Sequence, residues 1–323
     1  MDKKYYGQIK LGLIQRGLTI PTLLQGLSEV SRGLCSAEPG EEVTLALAED
    51  FIVKTTLNPP EKDGPKIISQ QDRLRLYMEE GETDVSIIPV PEFLKQQLKR
   101  RTPVSENICL DGYCFNVFLR AIGRGKKLSM PIEAILSVIQ AAFEEGAADL
   151  VQLNMDYSND DDRGFQRLAP LVEAIKKRFN TFVALKGFPP LDKNTIDHVY
   201  ASGFDIVNFP LGGFYGTVKS KKIMGAEKIY EALEYASSVF SPGTVWTDLN
   251  LSPGSQDRLK EGIDRLTDSG IIPLILLQRD SVTETSSYPN LVELAEHMDQ
   301  GIQRNGLPLK WLYPACRFLS PLD

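Results

Sequence analysis

Between residues 149 and 211, apolar and polar positions alternate in a pattern that predicts strand, helix, strand, helix, strand. The strands are 149–156 (DLVQLNMD), 181–187 (TFVALKG) and 205–211 (DIVNFPL), with helices over 165–179 and 194–202. Short apolar runs separated by amphipathic helices imply parallel strands with right-handed crossovers. In the first strand Val151 and Leu153 alternate with Gln152, Asn154 and Asp156, which sets amides and a carboxylate on one face.

The pattern extends in both directions. Upstream, 107–120 (NICLDGYCFNVFLR) has in its second half the make-up of a buried first barrel strand, followed by a loop over 121–127 and a helix over 131–146 with Ser129 as its cap. Downstream, a helix over 226–241 places Ile229, Leu233, Ala236 and Phe240 at helical spacing. Then come a strand over 244–252, a helix over 256–269, a strand over 271–280 and a helix over 288–305.

Six consecutive βα units predict an α/β fold, an open partial (β/α)6 TIM-like barrel. A closed eight-stranded barrel fills its middle with branched apolar side chains. Here Gln152, Asn154, Asp156, Lys186, Asn208, Asp248, Asn250 and Gln278 fall on one set of faces, with Arg279 beside them. Such a lumen is wide and wet, and its expected partner is a polar small molecule.

The first hundred residues read differently. Helices are expected over 5–16 and 21–33, a hairpin over 41–56 turning at Glu49–Asp50, a turn-rich loop over 59–65 and a short strand over 84–91. The expected division is an N-terminal α+β module over 1–104, the partial barrel over 105–306 and a tail over 307–323 that packs on the barrel.

Composition narrows the function classes. The chain has 323 residues, 42% of them hydrophobic, enough for a barrel and a smaller appendage. A net charge of −7 argues against a nucleic-acid partner, because a phosphate-tracking surface needs clustered positive charge. No apolar run approaches the roughly 20 residues that span a bilayer, so no membrane partner is expected and the reading is cytoplasmic. Cys35, Cys109, Cys114 and Cys316 are too few for a disulfide scaffold in a chain of this size.

Lys186 carries the sharpest candidate chemistry. A desolvated lysine flanked by Asp156 or Asp248 could act as a base or form a Schiff base in a lyase or aldolase type of enzyme. The competing reading pairs it with one of those carboxylates to balance the lumen charge. Catalytic candidates are therefore Lys186, Asp156 and Asp248, and ligand-binding candidates are Asn154, Asn208, Asn250, Gln278 and Arg279. The glycine-rich 212–216, the basic 123–127 and the acidic 159–162 match no phosphate or calcium loop spacing, and His198 and His297 fall on separate outer helices, so no metal site is expected.

The runs NMDYSNDDDRGFQRLAPLVEAIKKRF, LKGFPPLDKNTIDHVYASGFDIVNF and VFSPGTVWTDLNLSPGSQDRLKEGIDRLTDSGIIPLILLQRD resemble the barrel of radical S-adenosylmethionine enzymes, particularly the biotin-synthase-like branch. The specific matches are Pro189–Pro190, the Asp162–Arg163–Gly164 end of the second loop, and SGFDIVNF. The resemblance implies S-adenosylmethionine as a cofactor. It also implies an iron–sulfur cluster held by Cys-x3-Cys-x2-Cys on the first loop, but that loop reads AIGRGKKLSM, so no standard cluster is expected. Asn154–Met155–Asp156 stands where the family has a Gly–Gly–Glu-like strand end. These departures imply a cluster-free relative, repurposed or serving as an accessory subunit, with a radical enzyme or a second copy of itself as protein partner. The alternative is an irregular cluster on Cys109, Cys114 and a distant Cys35 or Cys316.

Overall fold

The N-terminal strands largely alternate, and their inward residues fill a small closed barrel. The computed structural model describes residues 3–21, 24, 39–48, 51–70, 73–100, 102–122, 127–212, 224–250, 256–276, 290–309 and 318–319. Helix α1 (Lys3–Arg16) leads into β1 (Leu18–Thr19), β2 (Glu42–Ala48), β3 (Phe51–Asn58), β4 (Lys66–Gln70), β5 (Arg73–Met78) and β6 (Gly81–Ile88). These close in the order β1-β3-β2-β6-β5-β4, with β1 parallel to both β3 and β4. Val43, Leu45, Val53, Ile67, Leu74, Leu76 and Val85 pack inside it with Ile9 and Leu13 of α1.

The 41–56 hairpin is present as β2 and β3, and 84–91 lies within and beyond β6. Strands β4 and β5 were not expected. They are short, and Arg73 and Arg75 alternate with buried Leu74 and Leu76, so the apolar signal is only two side chains long. Most of the helix expected over 21–33 lies outside the described residues.

After α2 (Glu92–Arg100), whose first amides at Glu92 and Phe93 donate to the Glu145 carboxylate, the second sheet begins. The stretch 107–120 is a hairpin and not one strand. β7 (Ile108–Asp111) turns at Gly112, at φ 59°, into antiparallel β8 (Cys114–Leu119). Glycine takes that backbone region without Cβ strain. The 121–127 loop carries a short antiparallel pairing of β9 (Ala121–Ile122) with β10 (Lys127–Leu128).

The remaining units follow: α3 (Ile132–Glu144), β11 (Leu150–Met155), α4 (Ala169–Arg178), β12 (Phe182–Lys186), α5 (Asn194–Ala201), β13 (Ile206–Asn208), α6 (Ala226–Val239), β14 (Val245–Asn250), α7 (Gln256–Asp268), β15 (Ile272–Leu276) and α8 (Leu291–Arg304). Helix α3 is capped at Pro131 without a side-chain bond, and the Ser129 hydroxyl instead accepts from Arg120 N at 3.2 Å. The strand order is β16-β15-β14-β13-β12-β11-β8-β7, where β16 is Phe318–Leu319. The six central strands are parallel and in chain order, while β7 and β16 run antiparallel at the two edges.

This is an α/β architecture with two differently packed sheet faces. On the outer face Phe115, Val117, Val151, Leu153, Val183, Leu185, Val207 and Val245 pack with Ile135, Leu171, Ile196 and Leu233 of the helices. On the inner face Leu150, Ala184, Ile206, Trp246, Ile272 and Leu274 form a second cluster with Ile302, and Leu307 and Leu309 pack against it. That cluster occupies the N-terminal end of the strands. Gly243, at φ 83°, is required beneath it, because a Cβ there would lie 2.2 Å from the Pro308 oxygen. Leu11 of α1 joins Ile263, Leu294 and Met298, so the N-terminal helix docks on the last βα unit.

Candidate functional site

Moving along β11, β12, β13 and β14 toward their C-terminal ends, the inner face changes from apolar to polar. On β8 the inner residues are Cys114, Asn116 and Phe118, and on β11 they are Leu150, Gln152 and Asn154. Register sets Gln152 beside Asn116, Asn154 beside Lys186, and Lys186 beside Asn208. Side chains alternate along a strand, so this register collects the polar residues into one layer above the apolar floor.

The layer is closely bonded. Gln152 Nε2 donates to Asn116 Oδ1 at 2.8 Å and to Asn154 Oδ1 at 2.9 Å, and Asn154 Nδ2 donates to Asn116 Oδ1 at 3.0 Å. Asn116 Nδ2 donates to the Cys114 carbonyl at 3.2 Å. Across the layer Lys186 Nζ is ion-paired with Asp248 Oδ2, and Asn208 Nδ2 donates to Asp248 Oδ1 at 2.7 Å. Lys186 and Asp248 are 16% and 6% exposed in their side chains, so the pair is largely withdrawn from water. Asn208 Oδ1 is buried and has no hydrogen-bond partner.

Cys114 lies at the lower edge of the layer. Burial pushes its thiol pKa upward, with Asp111 and Cys109 adding and Lys186 opposing. A raised thiol is a poor thiolate source.

Of the residues singled out in the sequence, Asn154, Lys186, Asn208 and Asp248 come together in this layer. Asp156 does not. It lies just past β11, accepts from Tyr157 N at 2.9 Å, and faces Arg120 Nε at 3.4 Å on the exposed rim. Asn250 ends β14, paired in register with Leu276. Gln278 and Arg279 lie outside the described residues, as do Cys35 and Cys316.

Three residues of the site were missed. Asn116 sits between Phe115 and Val117 and reads as part of an apolar run until its register with Gln152 is known. Phe118, at 44% exposure, leaves an aromatic wall at the mouth. Arg163 is buried at the rim in left-handed backbone (φ 55°), donates to the Ser158 and Pro189 carbonyls at 3.0 and 3.3 Å, and lies over the Tyr157 ring. It ties the loop after β11 to the loop after β12. The acidic 159–162 stretch is used locally: Asp160 pairs with Arg167, and Asp162 accepts from Gly164 N and Gln166 N.

No family model matches the chain, and no curated protein matches it. Similar solved structures include a Yersinia pestis dihydropteroate synthase with a pterine-sulfa conjugate, at 17% identity and TM-score 0.34 over 61% of this chain and 69% of that one. A Coxiella burnetii dihydropteroate synthase in complex with pteroic acid matches at 17% identity and TM-score 0.36 over 61% and 71%. A Bacillus cereus spore cortex-lytic enzyme matches at 10% identity and TM-score 0.30 over 71% and 69%. At these identities and scores the likeness carries no activity over to this chain.

The resemblance to radical S-adenosylmethionine enzymes is corrected: no family model matches the chain, and the similar structures named above are two dihydropteroate synthases and a spore cortex-lytic enzyme. The S-adenosylmethionine, the accessory role beside a radical enzyme and the irregular cluster that it implied fall with it. Among the described residues no three metal-ligating side chains gather, and Cys109 and Cys114 both lie on the β7–β8 hairpin. The Lys186 lyase reading is corrected too. Lys186 is ion-paired with Asp248, and an ion-paired ammonium is not the free amine that attacks a carbonyl.

Proposed function

We propose that this chain binds a polar small molecule in the upper half of an open (β/α)6 TIM-like barrel. One observation carries the reading: Asn116, Gln152, Asn154, Lys186, Asn208 and Asp248 form a polar layer over the middle and C-terminal parts of parallel strands, beside and above an apolar floor. A barrel acting only as a scaffold fills such positions with branched apolar side chains. Parallel α/β sheets place ligands at these strand ends, and a few polar groups in an otherwise apolar cleft are the usual make-up of a small-molecule site. Phe118 adds an apolar surface for one face of the ligand.

We place the protein in the cytoplasm, a setting that suits a Cys114 that takes part in no disulfide among the described residues. Among the described residues no helix is long and apolar enough to cross a membrane.

The test is a thermal-shift panel of polar fragments (carboxamides, lactams, polyols and carboxylates) on the wild type and on Asn154→Leu. A fragment at ten times its Kd adds about 1.4 kcal/mol. At least one class should raise the wild-type midpoint by about 2 °C and fail to do so in the variant. A panel with no effect on the wild type, or with equal effects on both proteins, refutes the reading.

A further inference from the structure

Resting on the lumen reading above, we propose that the ligand is a neutral molecule that donates an N–H to Asn208 Oδ1. The orientation of this amide is not arbitrary. Asp248 Oδ1 accepts from Asn208 Nδ2 at 2.7 Å, and flipping the amide would set two acceptor oxygens against each other. The carboxylate therefore fixes the Asn208 oxygen on the opposite side. That oxygen is buried without a partner on a residue 2% exposed.

Buried polar atoms in folded proteins are nearly always bonded, and an orphan calls for a specific partner. A simple carboxylate offers Asn208 only acceptors and brings a second negative charge toward Asp248. The cation of the layer, Lys186, is already engaged with Asp248, so the pair carries no net charge. A neutral donor satisfies the oxygen without disturbing that balance. Gln152 strengthens the preference: it donates through Nε2 to both Asn116 and Asn154, and its own oxygen accepts from neither.

Matched ligands test this on unaltered wild-type protein, with 2-pyridone against N-methyl-2-pyridone and nicotinamide against nicotinate. Side-chain amide resonances of Asn116, Gln152, Asn154 and Asn208 report where each probe binds, and titration gives its Kd. The inference expects 2-pyridone and nicotinamide to move the Asn208 resonance and to bind at least about tenfold tighter than their partners, the loss that follows from leaving a buried acceptor unpaired. Lumen binding with no N–H preference, or with nicotinate preferred, overturns the inference and leaves the lumen reading standing; the Asn208 oxygen then takes water only. If no probe moves any of the four resonances, the lumen reading fails and the inference with it.

Discussion

Replacing Lys186 by Met isolates the buried ion pair. The substitution keeps the unbranched stem of the side chain and leaves Asp248, at 6% exposure, with a single hydrogen bond from Asn208. A buried charge stripped of its partner costs about 3–5 kcal/mol. For 323 residues, an unfolding entropy of about 2.1 cal/mol/K per residue gives about 0.7 kcal/mol per degree, so the calorimetric midpoint should fall by about 4–7 °C. Asp248→Leu should cost at least as much, since it takes the carboxylate from both the Lys186 ammonium and the Asn208 amide. The double variant removes both charges and should lie well above the sum of the two losses, because the sites are coupled through one contact. A Lys186→Met midpoint within about 1 °C of wild type, or strictly additive single losses, would refute the buried pair as the organiser of this layer.

Other consequences are independent of that pair. Gly243→Ala should destabilise the protein by about 2 kcal/mol or more, since the residue combines left-handed backbone with a close approach to the Pro308 oxygen; urea titration showing an unchanged midpoint would contradict the packing of 307–309 beneath the barrel. Because burial raises the Cys114 thiol pKa, the folded chain keeps a proton that the unfolded chain releases above about pH 8.5. Stability supplied by that proton is complete below this range and is lost as pH rises through it. Cys114→Ala should flatten that decline, and identical pH slopes for the two proteins would count against it. Leu294→Ala, in the cluster that docks α1 on the last βα unit, should cost about 2–5 kcal/mol in urea unfolding; a cost below about 1 kcal/mol would show that the cluster is not packed as described.

The six βα units were legible because each strand is a short apolar run and each helix has a clear stripe, so the two periods separate cleanly. The polar face of β11 was legible for the same reason, and Asn154, Lys186, Asn208 and Asp248 followed from alternation alone. Which carboxylate meets Lys186 was not legible. Asp156 and Asp248 both lie in phase with the lumen, and only the register and the end of β11 turn Asp156 toward Arg120. Asn116 was hidden for a similar reason, since its neighbours are apolar and its partners lie on another strand. The closed N-terminal barrel escaped because β1 has two residues and β5 buries only Leu74 and Leu76, each preceded by an arginine. The family resemblance rested on strand-end and turn residues such as Pro189–Pro190 and Asp162–Arg163–Gly164. Arg163 and Pro189 bond to each other across two loops, a structural task that implies no particular chemistry.

A crystal structure of the protein soaked with 2-pyridone tests the central claim most directly. The account predicts the ring within the polar layer, its N–H within hydrogen-bonding distance of Asn208 Oδ1 and the Lys186–Asp248 pair intact beside it. A lumen closed by packed side chains, or a ring bound only elsewhere on the surface, would contradict the account.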